Sequence, residues 1–411
     1  MGLFRYAMIF AAFGMVAHII NNILYTNYPL HFDGEAVEGF DGVRKAFQQN
    51  FLDGWEAEGA ALAVFVKGRK VVDVWGGYAD KHADRKWKQD TLTVVFSATK
   101  AVAAVCIAIL ADRGRLSYDD RVSKHWPGFA KNGKENITVG WVMSHMSGLP
   151  FLDTTITKEM AFDHSLMRKV LEDEKQKFTP GIDARYHSLT YGWLVDQIVR
   201  HSDDKRRGVG QFLREEVTEP NGVDFHIGLN LSQEYRVARN VLSGVKDMIS
   251  EMWSNTRLMT RFVEFMTDKN STFLRAMKNV PWMYVWNKWT ANNPELHAME
   301  QAAGFGIGNA RSLATLVQSG NPTRTATKAT TRTDGCGEST RINKSSSLIH
   351  HPGYGCQQIT FDIRKQLVIG YVTNALKMGY FDTCRNYWRI HQAVTVALES
   401  SRNGVKPKEA W

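Results

Sequence analysis

Ser97-Ala98-Thr99-Lys100 sets a hydroxyl and an amine three positions apart. On a helix, positions i and i+3 share a face. The segment they open, SATKAVAAVCIAILADR, is apolar almost all round, so the helix should be buried on most sides, with Gly114 closing it in C-terminal cap position. The free N–H groups and the dipole at its N-terminus would favour a developing oxyanion. Burial would push the Lys100 amine down in pKa and make it a possible base for Ser97. That combination is the chemistry of nucleophilic acyl transfer. The bare Ser-x-x-Lys spacing recurs at Ser202/Lys205 and Ser243/Lys246, but only Ser97 opens an Ala-rich apolar helix. The plainer reading is an ordinary helix N-cap with Lys100 on the solvent side.

Two further segments carry side chains of the right kind. Phe178-Thr179-Pro180-Gly181 leads to Tyr186-His187-Ser188, just before the apolar run from Leu189. A Pro-Gly turn ahead of a helix sets the Tyr186 phenol at the helix entrance; the plainer reading is a core tyrosine with a satisfied hydroxyl. Later, His350-His351-Pro352-Gly353-Tyr354-Gly355 comes directly before an alternating strand marked by Ile359, Phe361 and Ile363. Glycines there let backbone approach a ligand closely, although a simple turn would also use them. Adjacent histidines on a strand point to opposite faces, so no metal site is expected from this pair.

These segments need a scaffold. The chain has 411 residues, 44% hydrophobic and 23% charged, enough for a sizeable core and incompatible with wholesale disorder. Its formal charge of +9 is scattered, and the densest basic stretch, Lys81 to Lys88, is interrupted by Asp84. No nucleic-acid stripe is visible, so no nucleic-acid partner is expected. Residues 29–55 read as a connector leading into a helix. Ala60–Lys67 and Lys70–Trp75 read as strands joined at Gly68-Arg69, Gln366–Val372 as a third, and Asp382–Leu398 as a final helix. Strands at both ends with helices between them predict an α/β (α+β) fold, with one antiparallel sheet built from about 55–115 and 300–400 and a mostly helical insertion over about 116–299. Residues 320–347 contain only Cys336, Ile342 and two alanines as apolar residues, the composition of a disordered loop.

Residues 3–25 are mostly apolar and nearly long enough to span a bilayer, interrupted by Arg5, His18, Asn21 and Asn22. We therefore expect residues 1–28 to be a membrane anchor or signal, with Arg5 favouring a cytoplasmic N-terminus and the bulk of the chain lumenal or extracellular; secretion after cleavage is the alternative. Sequons at Asn136, Asn230, Asn270 and Asn343 permit glycosylation on that side. Of the four cysteines, Cys106 lies in the apolar helix as a small core residue, while Cys356 and Cys384 could pair, though spacing does not decide it.

The order Ser-x-x-Lys, then a tyrosine motif, then His-x-Gly before a strand resembles the serine beta-lactamase-like and penicillin-binding-protein-like superfamily. The nearer resemblance is to the beta-lactamase-related esterases of family VIII type and to animal beta-lactamase-like proteins. His145-Met146-Ser147-Gly148-Leu149-Pro150, Asp224 to Leu229, Gly306 to Ala314 and Val372-Thr373-Asn374 look similar too, so the likeness spans roughly residues 40–400. It implies a beta-lactamase/transpeptidase-like fold and a serine hydrolase acting on an ester or amide through a Ser97 acyl-enzyme, with no metal and no organic cofactor. Lys100 and Tyr186 would share the general-base work, and His351 would hold the place of the third-motif basic residue. The backbone N–H groups of Ser97 and Tyr354 would form the oxyanion hole, with Ser188 and Gly353 against the substrate. Ser188 stands where lactamases often have Asn, and His351 where Lys is commoner. The alternative is a catalytically weak or inactive member that binds or assembles.

Overall fold

The structure, a computed structural model, describes residues 13–16, 28–268, 271–283, 290–319 and 348–403. Residues 1–31 form one unit and residues 32–411 a second. In the first, residues 13–16 are helical, and most of the apolar segment 3–25 lies outside the described residues. So does the whole of 320–347. Among the described residues, no helix is long and apolar enough to cross a membrane.

The second unit is built on a seven-stranded sheet. Its strands are β1 (Phe32–Ala36), β2 (Gly59–Val66), β3 (Arg69–Asp80), β4 (Leu348–Gly353), β5 (Gln357–Asp362) and β6 (Leu367–Thr373), in the spatial order β1-β3-β2-β6-β5-β4, with Arg85–Lys86 pairing off β3. Every pair is antiparallel. The two ends of the chain meet at β2 and β6, where Leu62 lies opposite Tyr371. This is the mixed, antiparallel architecture that the strand runs predicted.

Side chains on a strand alternate between faces. On β2, Ala60, Leu62 and Val64 join one core cluster, and Ala61, Ala63 and Phe65 join another. The strand is apolar without a break because both faces are covered. One face is closed by α1 (Asp41–Leu52), through Val43, Phe47 and Phe51, and by α8 (Arg385–Asn403), through Tyr387, Ile390 and Val394. The other face carries α2 (Thr99–Asp112) and α7 (Ala310–Ser319), with the larger core beyond them. Between α2 and α7 the chain forms mainly helices, among them α3 (Thr190–Ser202), α4 (Val245–Ser254), α5 (Thr256–Thr267) and α6 (Thr272–Lys278).

Several boundaries differ from the sequence reading. The first hairpin turns at Lys67-Gly68, not Gly68-Arg69; both residues take positive φ (49° and 80°), the geometry that matches the twist of paired strands. The stretch read as a connector contains β1, too short to announce itself, which pairs along β3 as an edge strand. The last helix begins at Arg385, because Phe381–Thr383 forms a separate short turn. Cys356 and Cys384 are joined in a disulfide that ties the turn after β4 to the start of α8. Cys106 is a free, buried thiol.

Candidate active site

Ser97 sits in a short 3-10 turn, Phe96–Ala98, that feeds directly into α2. Phe96 holds the turn open with φ of +45°, a left-handed conformation rare for a bulky residue and costly by about 1–3 kcal/mol. Thr99 braces it from below: its hydroxyl donates to the Phe96 carbonyl at 2.5 Å and accepts from the Gly306 N–H at 2.9 Å. The nucleophile candidate is thus presented by a strained turn that buried hydrogen bonds hold in place.

Lys100, one turn into α2, is not on the solvent side. It is 2% exposed. A protonated lysine has three donors, and the acceptors within reach of its Nζ include the Ala303 carbonyl at 2.8 Å, the Ser188 carbonyl at 3.0 Å and the Ser97 Oγ at 3.4 Å. The Tyr186 ring lies against the same amine, its centroid 4.7 Å away. Ser97, Lys100 and Tyr186, separate in sequence, therefore converge on one point.

Tyr186 is braced by two histidines whose roles residue type and spacing do not reveal. The ring centroid of His145 lies 4.8 Å from that of Tyr186, and its Nδ1 accepts from the His187 N–H at 3.2 Å. His187 Nδ1 meets the Arg185 carbonyl at 2.6 Å, so that nitrogen carries the hydrogen; Nε2 is left to accept from the Ser147 hydroxyl (2.7 Å) and the Leu149 N–H (3.3 Å). Burial, with the Lys100 charge adding to it, pushes His187 down to about 4. Burial first, then His187 and Lys100, holds His145 well below the usual range. Both rings are therefore neutral braces. The sequence signal for them is His145-Met146-Ser147-Gly148, a family-like segment whose residue types do not by themselves give a role.

The third motif runs along β4. His350 and His351 face opposite sides, as strand geometry requires: the His350 ring stacks on Phe381, 3.9 Å between centroids, whereas His351 lies within the field of Lys100. Burial, then that charge, push His351 down to about 3. Gly353 is buried against the nucleophile turn: a Cβ there would fall 2.2 Å from the Val95 carbonyl and 3.2 Å from the Ala98 nitrogen. Only glycine lets β4 run this close to Ser97. Tyr354 follows at the mouth, its ring edge-on to Phe96 at 5.7 Å.

A cavity of about 700 Å³ opens onto Ser97. Ser97, Tyr186, Ser188 and Tyr354 are in its wall; Lys100, His351 and Gly353 do not line it. The Ser188 hydroxyl is buried and has no hydrogen-bond partner among the described residues. The arrangement can support attack by a serine oxygen on a carbonyl, with a buried amine and a phenol at hand to move the proton.

The family described as Beta-lactamase matches residues 47–393. Esterase/beta-lactamase LipL of Mycobacterium tuberculosis is 39% identical over 196 residues, which cover 47% of this chain and 44% of that protein. Protein flp of Staphylococcus aureus is 28% identical over 156 residues, 36% of this chain and 31% of its own length. The chain thus spans less than half the length of these curated relatives in the matched regions. Among solved structures, a family VIII carboxylesterase superposes with a TM-score of 0.73 at 25% identity, covering 89% of this chain and 100% of that one. A penicillin-binding protein homologue from Caulobacter crescentus gives 0.68 at 27%, again covering 89% and 100%.

Proposed function

We propose that this chain, which belongs to the beta-lactamase family, is a serine hydrolase that cleaves an ester or amide through an acyl-enzyme on Ser97. The observation that carries this reading is the buried Lys100 amine 3.4 Å from the hydroxyl of Ser97, which itself lines a cavity of about 700 Å³. Ser97 Oγ attacks the carbonyl carbon, and its proton passes to the Lys100–Tyr186 pair. The same pair returns a proton to the leaving alcohol or amine, and water then attacks the acyl-enzyme by the reverse route. The backbone N–H groups of Ser97 and Tyr354 hold the oxyanion, a role supported by the close passage of Gly353 along the Ser97 turn. His351, neutral, stands in the place of the third-motif base, and Ser188 offers its hydroxyl to the substrate. A member that binds without turnover is less well supported, because the Ser97–Lys100 approach is intact. The test is labelling with a fluorophosphonate and mass mapping: the reading expects the label on Ser97 and none in Ser97→Ala, and equal labelling of both proteins overturns it.

We further propose that residues 3–25 tether the chain to a membrane with the hydrolase on the lumenal or outer side, secretion after cleavage being the alternative. The Cys356–Cys384 disulfide supports an oxidising compartment, and Asn136 and Asn230, both in sequons, are exposed. A glycosidase-induced mobility shift and resistance to carbonate extraction are expected; an unglycosylated protein in the cytosolic fraction sinks the proposal.

A further inference from the structure

The roof of the cavity is apolar on both sides. On its inner side, Met248 of α4, Leu258 and Phe262 of α5, and Phe273 and Met277 of α6 line the space above Ser97. The charged groups in the wall, among the described residues, are Arg261, Glu264 and Asp268; the last two are exposed and stand on the solvent side. On the outer side, Val245, Ile249 and Trp253 recur every fourth residue along α4, Met259 and Val263 do the same on α5, and all five are exposed. Trp253 is 84% exposed. Phe273 joins the two sides: it lines the cavity and is itself 38% exposed.

A roof over a small-ester site needs only its inner apolar face. A cavity of about 700 Å³ lies in the upper part of the ~300–1,000 Å³ range of small-molecule sites, and a short acyl group would leave most of it empty. Each methylene buried there raises affinity by about fourfold. Outside, a patch of aliphatic side chains around an exposed tryptophan is the composition of an element that lies in a membrane interface. Residues 245–278 carry six Lys and Arg against four Asp and Glu, a small positive excess that favours an anionic surface. One occupant satisfies the inner face, the outer face and the continuous path between them: a lipid, its chain inside and its neighbours outside.

We propose that α4–α6 dock on an anionic lipid surface and pass a medium- or long-chain aliphatic acyl group from it into the cavity above Ser97. What then happens to the acyl group rests on the hydrolase reading; its binding does not.

The test separates the two. Full-length Ser97→Ala protein is titrated with dansylaminoundecanoate, then displaced by laurate or butyrate. Displacement by laurate at least about 10-fold tighter than by butyrate is expected, and equal potency overturns the acyl site. If the wild-type chain hydrolyses no ester while Ser97→Ala binds laurate, the hydrolase reading fails and this inference stands. For the surface, an environment-sensitive NBD label is placed at Trp253→Cys and, as a control at an exposed position outside α4–α6, at Glu135→Cys, and phosphatidylcholine/phosphatidylglycerol vesicles are added. A blue shift at 253 and none at 135 is expected however the chain is otherwise held to the membrane. A label at 253 that stays in water overturns the docking face. So does a shift at 253 that depends on protein concentration without vesicles, which assigns the face to a second copy of the chain.

Discussion

The Lys100 amine is closer to two backbone carbonyls, Ala303 at 2.8 Å and Ser188 at 3.0 Å, than to the Ser97 hydroxyl at 3.4 Å. Its position is therefore set by the fold and not by the residue it would activate. Ser97→Ala removes one contact of the amine and no helix cap, so it should leave Lys100 in place, cost about 1 kcal/mol or less, and abolish hydrolysis. Lys100→Ala should also abolish hydrolysis but strand two buried carbonyls, at about 1–3 kcal/mol each. Urea unfolding of the two variants checks this; equal stability would show that the carbonyl contacts carry no weight.

The Tyr186 ring lies against the same amine, so the two are expected to act as one unit. Lys100→Ala and Tyr186→Phe should each lower kcat by orders of magnitude, and the double variant should be little worse than either single. Pre-steady-state acylation rates decide it. Losses that multiply would assign the two residues independent tasks.

Gly353 is where β4 passes the nucleophile turn with no room for a side chain. Gly353→Ala should push the third motif away from Ser97 and lower kcat by about 100-fold or more, the scale of losing one oxyanion donor. Far-UV circular dichroism should stay unchanged. Wild-type kcat in this variant would remove β4 from the oxyanion site.

Acid should loosen the brace around Tyr186. His187 titrates near 4 in the fold against an ordinary value of 6.5, so between those pH values the unfolded chain takes up a proton that the folded one refuses. Stability is thus full above about pH 6.5 and falls as pH drops towards about 4, by about 3 kcal/mol for His187 alone. His145, held low by the same burial, adds in the same direction. Thermal melts across this window should flatten in His187→Gln; an unchanged slope would clear His187 of the effect.

The disulfide closes a loop from Cys356, two residues past Tyr354, to Cys384. Cys384→Ser should cost about 3–4 kcal/mol for a loop of this length, with loss of activity because the third motif loses its anchor to α8. Differential scanning calorimetry together with ester turnover checks both halves. A variant that melts early yet turns over normally would leave the disulfide a stability role alone.

Much of this was legible from residue types. Ser97 and Lys100 announced themselves because an i, i+3 pair opened a helix with no polar face, and burial of α2 followed from that pattern. The sheet was legible because β2 and β6 are apolar without interruption, the mark of strands covered on both sides. The neutral histidine brace was not, since it depends on His145 and His187 meeting from elements far apart in sequence. Nor was Phe96, whose positive φ breaks the local rule for its type; such strain gathers at functional turns and has no composition to read. The pairing of Cys356 with Cys384 needed the three-dimensional approach of a turn and a helix start. The roof helices resisted for a different reason: side chains apolar on two faces read as ordinary core until one face is found bare.

The pairing of β2 with β6 also imposes an order of events. During synthesis, residues 59–66 emerge long before residues 367–373, and β4 with its third motif emerges only shortly before β6. Until then the nucleophile turn has no second wall, whatever α2 has already buried. Long-range pairing of this kind is slow to form, so a ribosome-bound or C-terminally truncated chain would carry Ser97 and Lys100 side by side and still lack an assembled site. Competence for chemistry becomes a late checkpoint of biogenesis, reached only when the last strands have closed the sheet.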